Sequence, residues 1–179
     1  MLIPFGTLAA SRAFEGIAAY DFIATTTGGG VATFDFSSIP QTYRHLQLRW
    51  LGKSNQTDTS FSIRFNGDTG SVYSYHQLSG QGSVASSNAV SQNRIVPTNS
   101  LANNSTGNAF AGGIIDILDY TSTSKNTTIR GIYGRADNQN GIHLGSGAFL
   151  NTAAITQITI FSGNNFNGNS RFSLYGIRG

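Results

Sequence analysis

The sequence predicts an all-β protein: an antiparallel two-sheet sandwich of jelly-roll type with an N-terminal arm. Three observations carry this. Glu occurs once and Lys twice in 179 residues, so the residues that build exposed helix faces are nearly missing. Apolar and polar residues alternate at period two in several short runs. Gly, Ser, Thr and Asn fill 77 of the 179 positions and concentrate turn chemistry between those runs.

Residues 1–17 (MLIPFGTLAASRAFEGI) do not alternate, and form the expected arm with a short helix at Leu8–Phe14. Residues 18–179 form the sandwich domain. Tyr20–Thr26 and Val31–Phe36 flank Thr27-Gly28-Gly29-Gly30 and predict a hairpin in which Phe34 and Phe36 share a face. Leu46, Leu48 and Trp50 alternate with His45, Gln47 and Arg49, which predicts one dry and one wet face. Phe61, Ile63 and Phe65 alternate with Ser60, Ser62 and Arg64 in the same way. Asn66-Gly67-Asp68-Thr69-Gly70 is a turn whose Asn and Gly suit positive φ. Val72–Leu78 is extended and Tyr-rich. The polar stretch 79–108 predicts a long loop with one short strand near Asn93–Val96. Phe110–Tyr120 predicts a buried strand, and Thr127–Arg135, Ile142–Leu150, Ile155–Phe161 and Arg171–Ile177 complete a set of about nine or ten strands.

Composition excludes more than it selects. Hydrophobic residues at 39% are too many for a disordered chain. The net charge of +3 reflects few acids, and no two Lys or Arg are adjacent, which argues against a nucleic-acid surface. Cysteine is absent, so thiol chemistry is excluded. No apolar run is long enough to span a bilayer as a helix, and the start lacks the basic segment of a secretory signal.

Apparent catalytic motifs fail one by one. Gly52-Lys53-Ser54 resembles the end of a phosphate-binding loop, but Gln47 stands where the first glycine belongs. Gly80-Gln81-Gly82-Ser83-Val84-Ala85 lacks a following helix and an acidic partner. His45, His76 and His143 are too far apart in sequence for a local metal pair, and a Ser–His–Asp triad would have to assemble in space. Asp116 is expected to pair with an arginine, and Asp68 and Asp119 to cap turns. Tyr73, Tyr75 and Tyr133 suit either sugar stacking or core packing, and core packing is the commoner use on a sandwich. No catalytic, metal or cofactor residue is assigned, and the chain is read as no enzyme. A surface of Ser, Thr, Asn and Gly loses little side-chain entropy and few charge–water contacts when buried, which suits permanent symmetric packing.

Five segments carry a resemblance. They are Ser38-Ile39-Pro40-Gln41-Thr42-Tyr43 leading into Leu46–Trp50; Arg64–Gly70 with Tyr73-Ser74-Tyr75; Ile114–Tyr120; Asn151–Thr156; and Arg171–Ile177. Over about residues 20–178 the chain resembles small virion structural proteins of tailed bacteriophages. The resemblance implies a role without chemistry. The first placement is a capsid decoration (cement) protein on the outer shell, a homotrimer bound to the major capsid protein. Its arm would reach along a neighbouring subunit, with Leu2, Ile3, Phe5, Leu8 and Phe14 as apolar anchors. The alternative is a tail-fibre or receptor-binding tip touching a host glycan. A carbohydrate-binding module is the third reading. No cofactor, nucleic acid or membrane is implied.

Overall fold

The computed structural model describes residues 19–57, 60–81, 84–97, 99–104, 107–135, 137 and 141–179, and within 81–91 only strand backbone. The expected arm, its helix at Leu8–Phe14 and its five anchors lie outside the described residues.

Eleven strands are described: β1 (Tyr20–Thr27), β2 (Thr33–Phe36), β3 (His45–Gly52), β4 (Ser62–Phe65), β5 (Tyr73–Gln81), β6 (Val84–Gln92), β7 (Ala111–Leu118), β8 (Thr127–Arg135), β9 (Gly141–Phe149), β10 (Ile158–Phe161) and β11 (Arg171–Ile177). Eight form one sheet in the order β1-β11-β3-β7-β8-β9-β5-β6, and three form a second in the order β2-β10-β4. Every pairing is antiparallel. The all-β, two-sheet architecture is as the alternation requires. The strands divide eight to three between the two sheets of the sandwich.

The core lies between the sheets. Leu46, Leu48 and Trp50 of β3 meet Phe34 and Phe36 of β2, Ile63 and Phe65 of β4, and Ile158 and Ile160 of β10. Aromatic rings run through it: Phe34 packs on Phe172 at 5.6 Å, Phe172 on Phe61 at 5.3 Å, Phe61 on Trp50 at 5.1 Å and Trp50 on Tyr133 at 5.7 Å. Edge-to-face and tilted pairs of this kind add to the gain from burial. Trp50 Nε1 donates to the Ser100 carbonyl at 3.0 Å, so its polar handle is satisfied.

Two expectations are corrected. β1 and β2 do not form a hairpin: β1 pairs with β11 and β2 with β10, so Gly28–Gly30 carries the chain from one sheet to the other. Gly28 is required there, since a Cβ would stand 2.6 Å from the Asn167 carbonyl oxygen. The stretch 79–108 is not all loop. β5 runs on to Gln81, and β6 pairs with it along its full length. β6 is an edge strand, and its polar sequence gave no alternation to read. Near Asn93–Val96 only Ile95 is paired, in an isolated bridge with Ile63.

The turn after β4 follows its residue types. Asn66 and Gly67 have φ of 53° and 67°, and Asp68 Oδ1 accepts from the Gly70 N–H at 2.8 Å.

Candidate interaction face

β7, β8 and β9 carry apolar residues on both faces. Their inner residues, such as Ile115, Ile117, Ile129 and Phe149, belong to the core. Their outer residues have no cover among the described residues. Register sets them in a line: Ile114 is opposite Ile132, Ile132 opposite Leu144, and Leu144 opposite Leu78 of β5. These four side chains are 38%, 46%, 52% and 51% exposed. In the next row Leu51, Gly112, Gly134, Ile142 and Gly80 follow in the same strand order. Gly112 and Gly134 leave the surface low between exposed Leu51 and Ile142, and Gly80 does the same beyond Ile142.

Polar groups border the apolar rows, and three of them are bonded to one another. On one side Gln47, Asp116, Arg130, Ser146 and His76 form a row. Asp116 Oδ2 accepts from Arg130 Nε at 3.1 Å, and Asp116 Oδ1 accepts from Gln47 Nε2 at 2.7 Å. The expected pairing of Asp116 with an arginine is therefore present. Towards the β1 edge, the Arg49 guanidinium stands 4.7 Å from the Tyr20 ring centre and 4.5 Å from that of Tyr175. Phe22 packs edge-on against Tyr175 at 5.9 Å.

A second polar cluster lies inside. His143 is fully buried, and its ring stacks on Tyr133 at 5.1 Å. His143 Nδ1 accepts from Gln77 Nε2 at 2.9 Å and lies 2.9 Å from Ser79 Oγ. The Tyr133 hydroxyl donates to Gln77 Oε1, and Tyr75 Oη lies 3.3 Å from Tyr133 Oη. Nδ1 as acceptor leaves the proton on Nε2, which has no hydrogen-bond partner among the described residues. Burial, then the positive charge of Arg135, holds the His143 pKa below its usual value. Burial pushes the Tyr75 hydroxyl up to about 12 and raises that of Tyr133 as well. Ser79 and His143 are thus a serine–histidine contact without solvent access, and no carboxylate bonds the far imidazole nitrogen among the described residues. It is arranged as a neutral core network.

The remaining sequence-singled residues are spread apart. His45 Nδ1 accepts from the Asp119 N–H at 2.9 Å. Asp119 binds Lys125 and, at 2.9 Å, Arg44 Nε; the Lys125 hydrogen bond leads in holding its carboxyl below the usual range. Tyr73, Tyr75 and Tyr133 are core residues, which removes them as a sugar-stacking platform. Arg135 and Asp137 form a buried pair at 3.2 Å. No group of three or more His, Asp or Glu side chains gathers into a metal site among the described residues.

No protein-family model matches the chain, and no curated protein matches it in sequence.

Sequence reasoning missed the outer apolar rows. A signal was present: Ile114-Ile115 are adjacent, and Ile142 and Leu144 share the face opposite to Phe149. A strand with one wet face does not need them there.

Proposed function

We propose that the chain is a structural subunit of a tailed-phage virion that decorates the outer capsid shell. The observation that supports a packing role is the open aliphatic line Ile114–Ile132–Leu144–Leu78 on a chain with only 11% charged residues. Contiguous exposed apolar surface marks a contact surface, and a surface poor in long charged side chains buries cheaply. The virion setting rests on the resemblance in the five segments quoted above.

In this reading the work is mechanical. The arm at 1–17 anchors to the major capsid protein through Leu2, Ile3, Phe5, Leu8 and Phe14. A protein that binds the assembled shell and not its free subunits stabilises the shell by linkage. No catalytic step or cofactor is assigned.

The test is add-back. Purified chain is mixed with phage heads that lack it. Saturable binding to heads, lost when residues 1–17 are deleted, is the expected result. The truncated protein should keep its fold, because the described core runs from Phe34 to Leu174. Binding to tails in place of heads gives the tail-tip reading, and binding to neither rejects the virion role.

A further inference from the structure

We propose that the outer face of the large sheet is the contact between two copies of this chain, stacked face to face about a two-fold axis. The inference goes beyond the decoration role, which assigns the arm to the capsid, and it puts a two-fold pair in place of the homotrimer that the resemblance implies.

The composition of the face is that of an interface. Eight exposed large apolar residues among those described lie on it: Tyr20, Phe22, Leu51, Leu78, Ile114, Ile132, Ile142 and Leu144. Val31 and Leu150, the others that are large, apolar and exposed, lie in connecting segments. A head-to-tail contact needs a second apolar patch elsewhere, and none is present among the described residues. A two-fold contact needs only this one, because the same patch serves both partners.

The charges on the face do not oppose a copy. Arg130 is bonded to Asp116, Arg49 is bonded to Gln47 and covered by two tyrosine rings, and exposed Arg171, opposite Leu51, stands at the first residue of β11, on the rim of the face. The apolar centre with a paired polar border matches the anatomy of stable interfaces.

The area is sufficient. Seven strands from β1 to β5 span ~29 Å at ~4.8 Å per strand, and eight residues rise ~27 Å. The face therefore offers about 780 Å² per copy, close to the ~800 Å² per partner of a standard stable interface. Two such faces stack at ~10 Å, as the sheets of a sandwich do.

The experiment is the mass of the full chain in solution by light scattering, with Ile132→Lys, Leu144→Asn and Val31→Lys alongside. The wild type should run as two chains of 19.0 kDa. Ile132→Lys should run as one chain, with dimerisation weakened ~100-fold, since each face then buries an unpaired charge. Leu144→Asn, the milder change, should weaken the pair in the same direction if the lysine variant does not fold. Val31→Lys should leave the mass at two chains. A wild type that is one chain at ~100 μM, or three chains, overturns the proposal. So does a two-chain mass that survives both face variants with the fold intact. Head binding reads the decoration role separately, so either idea can fail alone.

Discussion

Ile132 of β8 lies directly opposite Leu144 of β9, on the solvent side of a sheet whose other side is already a complete core. Two aliphatic side chains in register there gain a cross-strand contact and still leave about half of their surface open. Their neighbours Ile114 and Leu78 extend the same line to four strands. The arrangement sets the two sides of one sheet apart: the inner face is core, and the outer face carries an aliphatic line whose members are 38–52% exposed.

The core tolerates no bulk at Gly145. A Cβ there would stand 1.9 Å from Tyr75 Oη, too close to exist without movement. Gly145→Ala should push Tyr75 off Tyr133 and loosen the network to Gln77 and His143. The expected loss is about 1–3 kcal/mol, as for other overpacked cores, measured by the urea midpoint. Gly134→Ala offers no such comparison, because its Cβ meets backbone at 2.8 Å. Gly29→Ala does, since nothing lies within 4 Å, and its midpoint should stay close to that of the wild type.

Phe172 touches Phe34, Phe61 and Phe166 at 5.6, 5.3 and 5.2 Å, and so links β11 of the large sheet to the second layer. Phe172→Ala should cost about 3–5 kcal/mol. Phe22→Ala, on the exposed side of β1, should cost far less in the separated chain. The comparison by thermal melting separates core aromatic residues from face aromatic residues.

His143 should make the fold acid-sensitive. Its folded pKa lies below the usual value of 6.5, so the unfolded chain binds its proton first. Stability contributed by neutral His143 is full above pH ~6.5 and falls as pH drops, at up to ~1.4 kcal/mol per pH unit until the folded group titrates. His143→Gln should flatten that part of the profile between pH 7 and 5, read as urea midpoints. Asp119 acts lower: held below 3.8 by Lys125 and Arg44, it loses its contribution only as pH falls through the acid carboxylate range. An unchanged slope in the histidine variant would remove His143 from the explanation.

The buried pair Arg135–Asp137 should be intolerant of losing one member. Arg135→Met leaves a buried carboxylate without its cation, with an expected loss of about 3–5 kcal/mol. Arg135→Met combined with Asp137→Asn should lose less than the arginine change alone. The double-mutant cycle, by urea unfolding, measures the coupling.

Legibility followed side-chain burial. Where one face was dry, period two was visible: Leu46, Leu48, Trp50 and Phe61, Ile63, Phe65 all became core. β8 and β11 have the bounds that their sequence suggested, Thr127–Arg135 and Arg171–Ile177. In β6, whose sequence is mostly small or polar, there was no pattern to see. The Gly28–Gly30 segment marked the end of β1 but not the chain's destination, because three glycines allow both a hairpin and a crossing between sheets. The outer apolar line escaped because alternation arguments assume a wet second face. The Ser79–His143 contact escaped because it joins residues 64 apart in sequence, through pairing of β5 with β9.

The central claim is that this chain is a stoichiometric part of a virion shell. The most direct measurement is its copy number on purified particles, by quantitative mass spectrometry against the major capsid protein. The expected result is close to one copy per capsid subunit. A few to a few dozen copies per particle, or none, would contradict it.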